Sequence, residues 1–138
     1  MTGLTVAPSV RRRWADAVLR TLIVGLTLAT AAIHWSLGGL LFTLNALGYA
    51  ALASAMVLPG PFGRIRWLVR LALLGFTTTT IVGWYLVGAR FDLAYIDKAI
   101  ELVLVVLVTI DLWRTDGGPL TLARRGATML ASLIAGPR

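Results

Sequence analysis

The 138-residue chain has no cysteine, one histidine and only six acidic residues. Without cysteine it can build neither a disulfide framework nor a thiolate metal site. With one histidine, bis-histidine haem ligation would need two chains face to face. Charge of any kind is scarce: 14% of residues are Asp, Glu, Lys or Arg, against roughly 25% in an ordinary soluble domain. A water-soluble core of this length would need more polar surface. No nucleophile–base arrangement, zinc spacing or phosphate loop occurs, so the chain is not read as an enzyme.

What is abundant is apolar. Hydrophobic residues make up 58% of the chain and the mean hydropathy is +0.84, which identifies an integral membrane protein. A hydrocarbon core of roughly 30 Å needs about 20 apolar residues in a helix. Residues 17–35, 40–58, 67–87 and 93–113 meet that requirement. The expected fold is all-α: a polytopic bundle of four antiparallel transmembrane helices spanning 17–114. A basic segment, 1–16, precedes it and a tail, 115–138, follows. Only Ser36-Leu37-Gly38-Gly39 separates the first two spans, which predicts a tight hairpin. Pro59-Gly60-Pro61-Phe62-Gly63 stops the second span. A cleaved signal peptide would use Arg11-Arg12-Arg13, the apolar stretch from Leu22 to Ala32 and Ala29-Thr30-Ala31. A retained anchor fits better, because the hairpin needs the first span as a partner.

The thirteen basic residues give a net charge of +7. In a soluble chain this would suggest nucleic acid; here it points to the membrane surface. Arg11, Arg12, Arg13 and Arg20 precede or open the first span. Arg64, Arg66 and Arg70 follow the second, and Arg114, Arg124, Arg125 and Arg138 follow the fourth. Only Arg90 and Lys98 lie on the other side. The distribution predicts a prokaryotic cytoplasmic membrane protein with both termini cytoplasmic. Arg11, Arg12, Arg13, Arg64, Arg66, Arg124 and Arg125 are the expected contacts to headgroups or to a partner, and Arg20 and Arg70 are expected to snorkel to the same headgroups. Trp14, Trp35, Trp67, Trp84 and Trp113 sit near predicted span ends as interfacial anchors. Bound lipid is therefore expected, with a pigment or quinone as the second reading of the tryptophans and no intrinsic cofactor. From Pro119 to about residue 135 an amphipathic interfacial helix is predicted. Its apolar face carries Leu120, Ala123, Ala127, Leu130, Leu133 and Ile134.

Small residues mark where helices approach in lipid. They are Gly25 and Ala29 in the first span, Ala46, Ala50 and Ser54 in the second, and Gly75, Thr79 and Gly83 in the third. The fourth lacks such a row. Its run from Leu102 to Val108 is bulky aliphatic and is expected to meet lipid or a partner protein. Ionisable residues at membrane depth are functional candidates by default. His34, Asn45, Asp97, Lys98 and Glu101 all fall in the predicted outer half, with Glu101 on the order of 10 Å below the boundary. Thr77 to Thr80 add hydroxyls near mid-span. Three chemistries fit: a proton or cation site with Glu101 exchanging and His34 titrating; a metal held by His34, Asp97 and Glu101; or a structural pairing of Glu101 with Lys98 or Asn45. Near the inner boundary, Asp111 should pair with Arg114 or Arg70.

The segments Ala31-Ala32-Ile33-His34, Leu41-Phe42-Thr43-Leu44-Asn45-Ala46-Leu47-Gly48-Tyr49 and Ala94-Tyr95-Ile96-Asp97-Lys98-Ala99-Ile100-Glu101 resemble small four-span prokaryotic integral membrane proteins of unassigned function, over about residues 17–114. The resemblance implies a fold and a membrane address. The leading functional expectation is an accessory subunit of a larger membrane complex, such as a respiratory or photosynthetic electron-transfer assembly, without its own redox centre. The alternative is a small oligomeric transporter or channel coupled to protons or cations around Glu101. A membrane enzyme acting on lipid or quinone lacks a residue set.

Overall fold

A computed structural model of the chain describes residues 10–59 and 65–134. Among them there are five helices and no strand: α1 (Val10–Leu37), α2 (Leu40–Val57), α3 (Arg66–Val87), α4 (Asp92–Asp116) and α5 (Pro119–Ile134). The expected segments 17–35, 67–87 and 93–113 fall inside α1, α3 and α4, and 40–58 overruns α2 by one residue, Leu58 being its C-cap.

Glycines set two of the turns. Gly38 and Gly39 adopt φ of 68° and 82°, a region that costs other residues steric strain, and so reverse the chain between α1 and α2 in two residues. Gly117 ends α4 in the left-handed conformation, and the amides of Gly117 and Gly118 both return to the Leu112 carbonyl, satisfying an otherwise unpaired helix end.

The four long helices pack in cyclic order. α1 lies against α2 and α4, and α3 lies against α2 and α4. Their centre is filled by Ile23, Tyr49, Met56, Leu73, Leu104, Val108 and Leu112, all essentially inaccessible. Outside, large apolar side chains stand exposed on every helix, among them Leu22, Leu28, Leu41, Leu44, Leu47, Val82, Leu86, Leu102 and Val106. So much outward apolar surface is far beyond what a monomer in water tolerates. Three helices, α1 from Arg13 onward, α2 and α3, are long and apolar enough to cross a membrane. α4, at 25 residues, is also long enough, at about 37 Å. Its charges at Asp97, Lys98, Glu101 and Asp111 keep it from meeting the same standard of composition.

Several expectations are corrected by the packing. Gly25, Gly75 and Gly83 are exposed, and a Cβ added at each would meet nothing within 4 Å. Ala46 of the expected row is buried; the other close approaches are at positions not in those rows, Ala53, which is buried, and Gly48, where a Cβ would lie 2.7 Å from the Phe76 ring. The aliphatic run of α4 is not one lipid-facing surface, because consecutive helical residues are distributed around the axis. Leu104 and Val108 face inward while Leu102, Val103 and Val106 face out. α5 contacts α4 and buries Leu122 in the core, while Leu120, Ala127, Leu130 and Ile134 of the expected apolar face are exposed, so that face stays open to an interface.

Candidate functional site

The end of the bundle formed by the C-terminal turns of α1 and α3 and the N-terminal turns of α2 and α4 contains the polar cluster. Lys98 stands one turn before Glu101 on α4, so its ammonium reaches Glu101 Oε2 at 2.5 Å and, on its other side, Asp97 Oδ2 at 3.0 Å. The other Glu101 oxygen, Oε1, is approached by Tyr49 Oη of α2 at 2.8 Å and Thr80 Oγ1 of α3 at 3.0 Å. The two hydroxyls are 2.8 Å apart, and Thr80 also lies 2.8 Å from the Thr77 carbonyl. Each hydroxyl has a single proton, so two of these four contacts are made at once. Glu101 is fully buried and is tied to three helices' worth of chain. Buried this way, a carboxylate is stable only with its lone pairs occupied.

Asp97 is different. Its Oδ1 is buried and has no hydrogen-bond partner. It lies 3.6 Å from His34 Nδ1, beyond hydrogen-bond length. That nitrogen is 3.0 Å from the Thr30 carbonyl one turn back on α1. A carbonyl only accepts, so Nδ1 carries the proton and, in the neutral ring, Nε2 is the free acceptor. The imidazole packs against Tyr49 and Phe42, with ring centroids 5.6 Å and 6.0 Å away.

His34 and Asp97 both border a cavity of about 410 Å³. Its walls are mainly apolar and aromatic, including Phe42, Phe76, Trp84 and Phe91, and its polar edge adds Asn45, Thr79 and Thr80. Such a space with a few convergent polar groups is the usual form of a small-molecule site. Trp84 is a wall of this cavity as well as a residue near a helix end: its Nε1 donates to the Ala89 carbonyl at 3.0 Å, and the Arg90 guanidinium stacks 4.3 Å above its ring. Trp67 packs against the hydrophobic core. Trp14, Trp35 and Trp113 are exposed.

His34, Asp97, Lys98 and Glu101 are thus brought together. Asn45 joins them at the cavity, while Tyr49, one turn further along α2, is the α2 partner of Glu101. Thr80 is one of the four mid-span hydroxyls the sequence offered, whereas Tyr49 was not singled out. The available signal was a phenolic hydroxyl in the middle of an otherwise apolar span, which needs a partner when buried. For a metal, His34, Asp97 and Glu101 present ligand atoms within 4.8 Å of one another. The Lys98 ammonium already bridges the two carboxylates, so its charge opposes a cation at that point.

At the opposite end, Asp111 pairs with Arg70 (Nε to Oδ2, 2.5 Å), which also reaches Asp116 at 3.1 Å. Arg70 is buried rather than snorkelling outward. Arg114 pairs instead with Asp16 of α1 at 2.7 Å. Arg13 and Arg124 are exposed and Arg66 is half-buried. Arg64 and the side chains of Arg11, Arg12 and Arg125 lie outside the described residues. No protein-family model, curated protein or solved structure matches the chain.

Proposed function

We propose that the chain is a four-span protein of the prokaryotic cytoplasmic membrane, with cytoplasmic termini, that exchanges protons and small cations through the cavity beside His34 and Asp97. In this reading α4 is the fourth span, its charges made tolerable by partners on α1, α2 and α3. The observation that carries the proposal is the unpartnered Asp97 Oδ1 at the wall of a cavity that also reaches His34. With His34 neutral, Asp97, Glu101 and Lys98 leave one net negative charge, which favours a cation at the cavity end. Protonation of His34 cancels that charge. Cation and proton then compete, and by linkage each weakens the other's binding by the same factor. Glu101, saturated by its partners, serves as the fixed anchor, and Asp97 and His34 face the exchanged species.

The test is cation-driven proton movement in proteoliposomes, followed with an entrapped pH dye. Wild-type protein should respond to an imposed cation gradient, and Asp97→Asn should lose the response while eluting as the same monodisperse species. Wild-type flux in Asp97→Asn and in His34→Gln would end this reading. A second reading, an accessory subunit of a larger assembly, is favoured by the outward Leu102, Val103, Val106 and Ile110 of α4. Under it, a mild-detergent pull-down recovers stoichiometric larger subunits, and proteoliposomes of the isolated chain carry no flux.

A further inference from the structure

At the end of the bundle remote from His34, a second cavity of about 290 Å³ is lined by Arg20, Thr21, Val24, Met56, Val57 and Arg66. The Nε atoms of Arg20 and Arg66 are both buried and neither has a hydrogen-bond partner. Buried donors are normally paired, so two orphaned ones around one space form a site waiting for an acceptor. The acids at this end do not supply it: Asp111 and Asp116 are held by Arg70, and Asp16 by Arg114. Arg20 and Arg70 moreover repel Arg66, and the nearby Asp111 is already bonded to Arg70. Guanidinium groups match the oxygens of a phosphate with parallel N–H bonds. Of the remaining walls, Val24, Met56 and Val57 are apolar, and Val57 is exposed at the surface of the helices.

We propose that Arg20 and Arg66 bind the phosphate of an anionic membrane lipid, whose chain lies along Val24, Met56 and Val57. A free phosphate ion would satisfy the arginines but leave the apolar walls uncovered, which is why the lipid is preferred. The site rests on the membrane reading alone and is independent of the His34 cavity.

The experiment uses the full chain in detergent, titrated with phosphatidylglycerol and read by native mass spectrometry and thermal unfolding. One phosphatidylglycerol should be retained per chain and raise the unfolding temperature, while zwitterionic phosphatidylcholine should do neither. Arg20→Gln and Arg66→Gln should each weaken retention roughly tenfold or more, the effect of losing a charge-assisted bond, whereas Arg13→Gln, exposed near the same end, should not. Because these substitutions relieve repulsion between unpaired cations, the lipid-free variants should unfold no earlier than wild type, which separates lost binding from lost folding. Equal retention by wild type and the Arg20→Gln/Arg66→Gln double variant would overturn the site. Displacement of the lipid by millimolar inorganic phosphate would overturn the lipid assignment in favour of a free anion.

Discussion

Two of the arginine–carboxylate pairs near the α4 C-terminus, Arg70–Asp111 and Arg114–Asp16, differ in one respect that decides their energetics. Arg70 and Asp111 have side chains only 6% and 3% exposed, whereas Arg114 and Asp16 are 39% and 35% exposed. Removing one member of a buried pair strands the other and costs about 3–5 kcal/mol; an exposed pair contributes about 1 kcal/mol or less. Arg70→Met should therefore unfold at a markedly lower temperature in detergent, with Asp111→Leu added to it restoring much of the loss. Arg114→Ala should remain close to wild type. Coincident melting curves for Arg70→Met and Arg114→Ala would contradict this assignment. At this scale the sequence was informative about which charges needed partners and less so about which partner each would take. Asp111 could be paired with either Arg114 or Arg70 by spacing alone, and contact across α3 and α4 selects Arg70. Tyr49 escaped for the same reason, since its link to Glu101 joins residues 52 apart in the chain.

Helix limits were legible because they depend on local signals: glycine pairs, prolines and lengths of apolar run. Which face each helix turns inward was less so. In lipid, hydrophobicity does not distinguish inside from outside, and the glycines that looked like contact points lie open. Among the glycines inside the described helices, the tight one is Gly48, against Phe76. Gly48→Ala should displace that ring, which stacks edge-on against Tyr49 with centroids 4.9 Å apart, and overpacking of this kind costs about 1–3 kcal/mol. Gly25→Ala, with open space around it, should be neutral or stabilising by about 0.5–1 kcal/mol through helix propensity. Thermal unfolding of the two variants side by side checks both signs. α5 illustrates the limit of periodicity: the amphipathic pattern located the helix at Pro119–Ile134, but its attachment runs through Leu122, off the apolar stripe. The stripe itself is left for a headgroup layer or another surface.

For the molecule as a whole, the basic residues predict a topology that can be tested directly, since the chain contains no cysteine to remove. A single cysteine replacing Ala89, exposed between α3 and α4, should react with a membrane-impermeant maleimide on intact cells. One replacing Thr121, exposed on α5, should react only after lysis. The reverse pattern would place both the polar cavity and the arginine site on the opposite sides from those assigned here.

The uneven polarity of the helices also bears on how such a chain is made. On the membrane reading, α1 and α2, joined by two glycines, can enter lipid as one hairpin, since neither buries an acid or an arginine paired to a later helix. α4 emerges with Asp97, Lys98, Glu101 and Asp111 unmatched except by one another. Its counterparts (His34, Tyr49, Thr80 and Arg70) all belong to helices synthesised before it. On the four-span reading, the last span is therefore inserted against a scaffold already standing, and a lesion in α1, α2 or α3 would surface first as a failure of α4 to enter the membrane.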